Sequence, residues 1–289
     1  MSGDTQVVAV LGHGVVRPDA PLLTAFDLGV TRGDGCFDTC RVVVEARGKR
    51  VDHFEAHLAR FSNSAKALGL GPIDLDAWRQ LVGQAISAWT LPGEALLKLN
   101  LTRGPEYGLR TGPTAFVTIV PMPDAASRLR RGMTAVTLNR AYLSLGFTDS
   151  PWLLGGVKTL SYAINMAARR EANRRGSDDA IFLSADGCLL EGTTAGLIFA
   201  MDDKLWTTPT ENSGVLRSIT VEAILHEAER EGISVSRAFF TLADLTRLQG
   251  LWFASATGVK PVLRVDDTNL PHEPALTHKL AECGGFELG

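Results

Sequence analysis

The sequence predicts a mixed α/β chain in two domains, and three observations carry that prediction. Its 289 residues are 45% hydrophobic, enough to bury one large core or two moderate ones, and two is the reading we take. Apolar runs of period two are interleaved with amphipathic runs of helical period along the chain. Pro121-Met122-Pro123 breaks a strand and is followed by the small, polar Asp124-Ala125-Ala126, which marks a linker. We therefore expect an N-terminal α/β domain over 1–122, a linker over 123–132 and a C-terminal domain over 133–289.

The first strand is expected over 6–11, turning at Gly12-His13-Gly14. The next segment is Gly33-Asp34-Gly35-Cys36-Phe37-Asp38-Thr39-Cys40-Arg41. Its glycines permit turn geometry, and Phe37, Thr39 and Arg41 alternate onto one strand face. The glycine spacing fits neither nucleotide fingerprint, so we reject a nucleotide loop here. Packing and surface account for the trio as well as a pocket would. A helix follows over 54–68, ended by Gly69, and places His57 and Arg60 on one face. Taken alone, that pair reads as a solvated helix edge. A second helix over 76–90, strands over 95–102 and 114–120, and a loop carrying Arg103 and Arg110 complete this half.

In the second half a strand over 133–138 leads through 141–151 to Leu153-Leu154-Gly155-Gly156-Val157-Lys158. A helical run over 161–175 comes next, so Lys158 is expected at a strand-to-helix junction. An amine does covalent work only if it is neutral part of the time, which partial burial in a shaped pocket arranges. The plain alternative is a solvated lysine. Gly176 suits a left-handed cap, and Arg169, Arg170, Arg174 and Arg175 read as the wet side of the helix. Two short strands over 180–191 turn at Ser184-Ala185-Asp186-Gly187 and end at Glu191. A carboxylate there can serve a pyridinium nitrogen or lie on the surface. A helix over 213–231 exposes amides suited to a phosphate at its start, and the strand over 251–259 ends in Ser255-Ala256-Thr257-Gly258. From Asp266 onward we expect surface and a final helix.

Composition removes several function classes. A net charge of −3 with both signs spread along the chain gives no footprint for nucleic acid or an anionic membrane. No apolar run approaches the roughly 20 residues of a membrane span, and the N-terminus lacks signal-peptide order, so we expect a cytoplasmic protein. Cys36, Cys40, Cys188 and Cys283 form no CxxC pair, and His272 and His278 are too sparse for a metal. We expect free thiols, no metal and small-molecule chemistry.

The run 158–191, with Gly192-Thr193-Thr194-Ala195-Gly196-Leu197-Ile198-Phe199 and Leu205-Trp206-Thr207-Thr208-Pro209, resembles the class IV family of pyridoxal-phosphate enzymes. That family holds branched-chain and D-amino-acid aminotransferases and aminodeoxychorismate lyase, and the resemblance spans about 25–262. It implies the two-domain α/β class IV aminotransferase fold, with pyridoxal 5′-phosphate at the domain interface, usually in a homodimer acting on a small amino substrate. It implies that Lys158 carries the cofactor and is catalytic, that Glu191 serves the pyridine nitrogen and that Leu216 packs on the ring. Arg60, from a His-x-x-Arg pattern, is implied at the phosphate with Ile219, Thr220, Ala256 and Thr257. Phe37, Thr39, Arg41, Arg110 and Tyr162 become substrate-facing candidates.

Two departures bear on the subfamily. Leu216-Arg217-Ser218-Ile219-Thr220-Val221 stands where the family usually has Leu-x-Gly-Ile-Thr-Arg. Arg110 is followed by Thr111 and Gly112, without the histidine of the Arg-x-His pair that grips the α-carboxylate in D-amino-acid aminotransferases. Gly33-Asp34-Gly35-Cys36-Phe37 and Pro151-Trp152 through Lys158-Thr159-Leu160-Ser161-Tyr162 resemble aminodeoxychorismate lyases more than branched-chain aminotransferases. The resemblance thus implies elimination of pyruvate to give 4-aminobenzoate for folate synthesis. A D-amino-acid aminotransferase is the alternative, and a branched-chain or (R)-amine transaminase stands further off.

Overall fold

The computed structural model describes residues 5–108 and 112–286. The chain divides into two compact units: Met1–Met122 with Val157–Tyr162, and Pro123–Gly156 with Ala163–Gly289. The break thus falls at Met122/Pro123, and the short lysine-bearing segment is counted with the first unit although its neighbours on both sides fold with the second.

The first unit contains β1 (Val7–Val10), β2 (Gly14–Val16), α1 (Leu28–Thr31), β3 (Gly35–Glu45), β4 (Gly48–Val51), α2 (Phe54–Ala67), α3 (Leu75–Ala88), β5 (Gly93–Thr102) and β6 (Thr114–Pro121). Its strands form one antiparallel sheet in the order β2-β1-β6-β5-β3-β4. In β5 every second residue, Ala95, Leu97, Leu99 and Leu101, is buried, as a half-buried strand requires. These side chains meet Leu58 and Phe61 of α2 and Trp78 and Leu81 of α3 in one core. Asp74 starts α3 by accepting from the amides of Asp76 and Ala77, satisfying donors that the helix cannot. With the helices on one face, Phe37 and Thr39 of β3 are left half-buried while Cys36, Asp38 and Cys40 are fully buried.

The second unit contains α4 (Asp124–Leu129), β7 (Met133–Asn139), α5 (Ala163–Arg174), β8 (Asp179–Leu183), β9 (Cys188–Gly192), β10 (Gly196–Met201), β11 (Lys204–Thr207), α6 (Ile219–Arg230), β12 (Val235–Arg237), β13 (Phe240–Thr241), β14 (Gly250–Ser255), β15 (Gly258–Val265), β16 (Thr268–Asn269) and α7 (Pro274–Cys283). The sheet order is β12-β11-β10-β14-β15-β7-β8-β9-β13, with β16 on β15. The stretch expected as a linker therefore holds a helix, α4. Strands β7 and β8 pair in parallel, which requires a crossover, and α5 lies within it. Gly176 ends α5 at φ 77°, with the Ser177 amide donating to the Ala172 carbonyl.

No strand leads into Lys158, contrary to the expected strand-to-helix junction. The chain instead makes a 3₁₀ turn at Pro151–Leu153 and stays irregular to Tyr162. The cause is steric: a Cβ at Gly155 would lie 2.3 Å from the Phe147 ring, and Gly156 sits at φ 73°. That backbone folds tightly and cannot extend. Among the described residues, no helix is long and apolar enough to cross a membrane.

Candidate active site

In the first unit the lysine segment lies along the start of β3. The Phe37 amide donates to the Lys158 carbonyl at 3.1 Å, the Leu160 amide donates to the Gly35 carbonyl at 2.8 Å, and Cys36 bridges Thr159. Two glycines make this approach possible. A Cβ at Gly33 would stand 2.7 Å from Ser161 Oγ, and one at Gly35 would stand 2.4 Å from the Leu101 carbonyl. Their place in the sequence, read as turn geometry, is thus also a matter of clearance for the lysine segment.

The Lys158 Nζ lies 4.6 Å from the centroid of Phe37 and 3.5 Å from Tyr162 Oη. Phe37 and Tyr162 meet edge to face at 5.1 Å, a favourable arrangement of ring quadrupoles. Three expected site residues are therefore brought together. The backbone of Lys158 is further fixed by a bond from its amide to Ser64 Oγ. Thr39 is half-buried on the same strand. Arg41 is enclosed, at 3% exposure, with its Nη1 3.0 Å from Asp52 and its Nε 2.6 Å from Glu94. Arg110 lies outside the described residues.

His57 and Arg60 do not form a solvated helix edge. Both converge on Asp38, which is fully buried on the helix-facing side of β3. Arg60 grips it through two bonds, Nε to Oδ2 at 2.8 Å and Nη2 to Oδ1 at 2.7 Å, and His57 Nδ1 lies 2.7 Å from Oδ1. Burial alone would raise the Asp38 pKa, but the Arg60 charge and the bonds from His57 and Arg60 outweigh it and hold the carboxyl well below its usual range. Burial pushes the His57 pKa down, against the pull of Asp38. The sequence reading missed Asp38. Its signal was an acid placed between Cys36 and Cys40 on the apolar side of a strand, where a carboxylate needs a cation.

In the second unit Glu191, near the end of β9, is held from two sides. Arg140 Nη1 donates to its Oε1 and the Leu216 amide to its Oε2, each at 3.1 Å. Arg140 in turn lies over the Phe182 ring at 4.5 Å. A carboxylate accepts from about four donors, so these bonds orient the group and are compatible with a ring N–H as a further donor. Arg140 was not anticipated: it follows a strand in a segment with no recognisable motif.

The start of α6 is ordered by Ser218, whose Oγ accepts from the Val221 amide. The residue that departs from the family's glycine thus serves as an N-cap. Ile219 and Thr220 open the helix, Thr220 buried, where amides and dipole favour an anion. Ala256 and Thr257 form the turn between β14 and β15, with Thr257 Oγ1 2.9 Å from Ser255 Oγ. A hydroxyl pair and helix-start amides are the donor set that a phosphate ester requires.

A family model described as amino-transferase class IV matches residues 35–265. A bifunctional aminodeoxychorismate lyase / D-amino acid transaminase of Mycobacterium tuberculosis is 37% identical over 278 residues, covering 93% of this chain and 94% of that protein. An aminodeoxychorismate lyase of Vibrio harveyi is 29% identical, covering 86% and 89%. Among solved structures, the pyridoxal-phosphate-bound form of a hypothetical aminotransferase from Mycobacterium tuberculosis superimposes with a TM-score of 0.90 at 36% identity, covering 97% of each chain. The chain therefore belongs to the class IV aminotransferases and is a pyridoxal-phosphate-dependent enzyme of the aminotransferase and aminodeoxychorismate lyase kind.

Proposed function

We propose that the protein is a 4-amino-4-deoxychorismate lyase, releasing pyruvate and leaving 4-aminobenzoate. The observation that carries this reading is the pairing of two lyase-like segments: 33–37 and 158–162 are hydrogen bonded to one another around Lys158. The relative that bears the lyase name first supports it.

Lys158 would bear the cofactor, Glu191 would serve its ring nitrogen, Leu216 would pack on the ring, and Arg60, Ile219, Thr220, Ala256 and Thr257 would receive its phosphate. When bound, the cofactor supplies an electron sink for the carbon that carries the substrate amine. Lys158 Nζ, released when the substrate amine takes its place, removes the proton from that carbon. The adjacent carbon–oxygen bond then breaks, pyruvate leaves as its enol and gains a proton, and the ring becomes aromatic. Tyr162 Oη and the Phe37 ring fix the position of the amine during this transfer, and Thr39 and Arg41 belong to the substrate strand.

A second reading, D-amino-acid transaminase, is favoured by the double name of the same relative. In that case Lys158 would both take and return the proton, and no carbon–oxygen bond would break. The test is release of 4-aminobenzoate from aminodeoxychorismate with no keto acid present. Sustained release fits the lyase. A single turnover that stalls, together with steady turnover of D-alanine and 2-oxoglutarate, would replace it by the transaminase.

A further inference from the structure

We infer that Lys260 is a positioning residue for the cofactor's phosphate, holding the Thr257 hydroxyl as a donor and adding a buried positive charge behind it. The inference rests on the reading of Thr257 as a phosphate contact, and it assigns a role to a residue that no motif singled out.

Lys260 lies on β15 and is only 7% exposed. Its Nζ donates to Thr257 Oγ1 at 2.6 Å, and among the described residues no carboxylate lies within ion-pair distance of it. The acid nearest in effect, Asp179, is already engaged: Arg169 donates to its Oδ2, and Thr193 Oγ1 and the Ala180 amide donate to its Oδ1. A buried ammonium whose hydrogen bond goes to a hydroxyl is costly unless an anion offsets it.

The hydrogen-bond direction is informative. A charged ammonium has three donors and no acceptor, so it takes a lone pair of Thr257 Oγ1 and leaves the hydroxyl proton to point elsewhere. The Thr257 amide donates to Ser255 Oγ in the same turn, which likewise leaves the serine proton available to an acceptor. Arg130 Nε holds the Thr257 carbonyl at 3.0 Å. The turn 255–258 is thereby pinned at backbone and side chain. Ser255 Oγ and Thr257 Oγ1 are also bonded to each other at 2.9 Å, so one of their protons lies between them and the other is left to donate, which fits a phosphate group, an acceptor only.

Burial lowers the Lys260 pKa to about 8; Asp179 on β8 pulls it up, and Arg169 on α5 and Arg130 after α4 push it down. A nearby dianion would raise it, so phosphate binding is linked to retention of this proton.

The test compares pyridoxal 5′-phosphate with pyridoxal, which lacks the phosphate, by equilibrium binding to the apoprotein. Lys260→Met should weaken the phosphorylated ligand about tenfold, or about 1.4 kcal/mol, and leave pyridoxal unchanged. Lys260→Arg should keep the preference. In the unaltered protein the ratio of the two affinities should fall by up to about tenfold per pH unit above pH about 8, a readout that does not depend on a variant folding. Equal loss of both ligands, or an affinity ratio that stays flat through that range, would overturn the inference. Thr257→Ala separates the premise from the conclusion. If it also leaves the phosphate preference intact, the reading of Thr257 has failed and the inference with it. If Thr257→Ala abolishes the preference and Lys260→Met does not, only the role of Lys260 is refuted.

Discussion

The two units differ in how one buried cation of each is partnered. In the first, the acids and cations are matched: Asp38 is satisfied by Arg60 and His57, and Arg41 lies between Asp52 and Glu94. In the second, Asp179 is matched by Arg169 and Glu191 by Arg140, but Lys260 is buried against a hydroxyl. The difference separates two tasks. A matched network is a rigid mount, which suits a strand lying beside a reacting amine, whereas a donor without a matching anion is arranged for a ligand. In the proposed chemistry the reacting amine thus belongs to the unit in which the buried Asp38 and Arg41 are matched by opposite charges, and the buried lysine without such a match belongs to the other.

The largest expected effect is on the reacting amine. Lys158→Ala should lower turnover by about 10⁴-fold, the upper range for a lost acid–base group, while the anion-binding groups of the second unit still retain some cofactor. Steady-state assay with a retention measurement checks both halves, and full cofactor loss would break the division of tasks. Glu191→Gln keeps the shape and the Leu216 contact but removes the charge proposed to serve the ring nitrogen. Turnover should fall roughly 10²–10³-fold, as for other removed electrostatic partners, with cofactor retained.

Asp38→Asn sharpens the comparison on the side of stability. It leaves Arg60 partly buried beside a neutral amide, which should cost about 3 kcal/mol in urea unfolding. The pH dependence has a definite sign. Asp38 has a folded pKa below its ordinary 3.8, so its contribution is present above that value and is lost as pH falls below it. His57 has a folded pKa below its ordinary 6.5, so the unfolded chain takes up a proton first and stability declines as pH drops below about 6.5. Both act in the same direction, and Asp38→Asn should flatten the acid limb in unfolding curves. The smallest effect is expected from Phe37→Leu. Loss of the cation–ring contact should cost about 1 kcal/mol, a several-fold rise in KM or fall in kcat.

Much of this arrangement was legible in the sequence where a local pattern is also the physical cause. The period-two burial of β5, the hairpin of β8 and β9 and the Gly176 cap follow from alternation, turn residues and handedness, and all three formed where the pattern placed them. Lys158 and Glu191 were singled out through their family motifs, and the structure sets Lys158 beside Phe37 and Tyr162 and Glu191 between Arg140 and the Leu216 amide. What was not legible depends on partners distant in sequence. Asp38 meets residues 19 and 22 positions away, and Arg140 meets Glu191 51 positions away. No spacing rule encodes such contacts. The approach to Lys158 was misread as a strand because its apolar composition is the same whether the chain extends or turns, and the steric contact of Gly155 with Phe147 that decides the matter is not local either.

The central claim is that one lysine, Lys158, forms the covalent bond to the cofactor. Its rivals are definite: Lys98 Nζ lies 5.3 Å from the same Phe37 ring, and Lys260 is the buried lysine beside Thr257. Borohydride reduction of the pyridoxal-phosphate-loaded protein fixes the carbon–nitrogen double bond joining the two, and peptide mass mapping then locates the label. The account predicts stoichiometric label on Lys158 alone. Label on Lys98 or Lys260, with Lys158 unmodified, would contradict it.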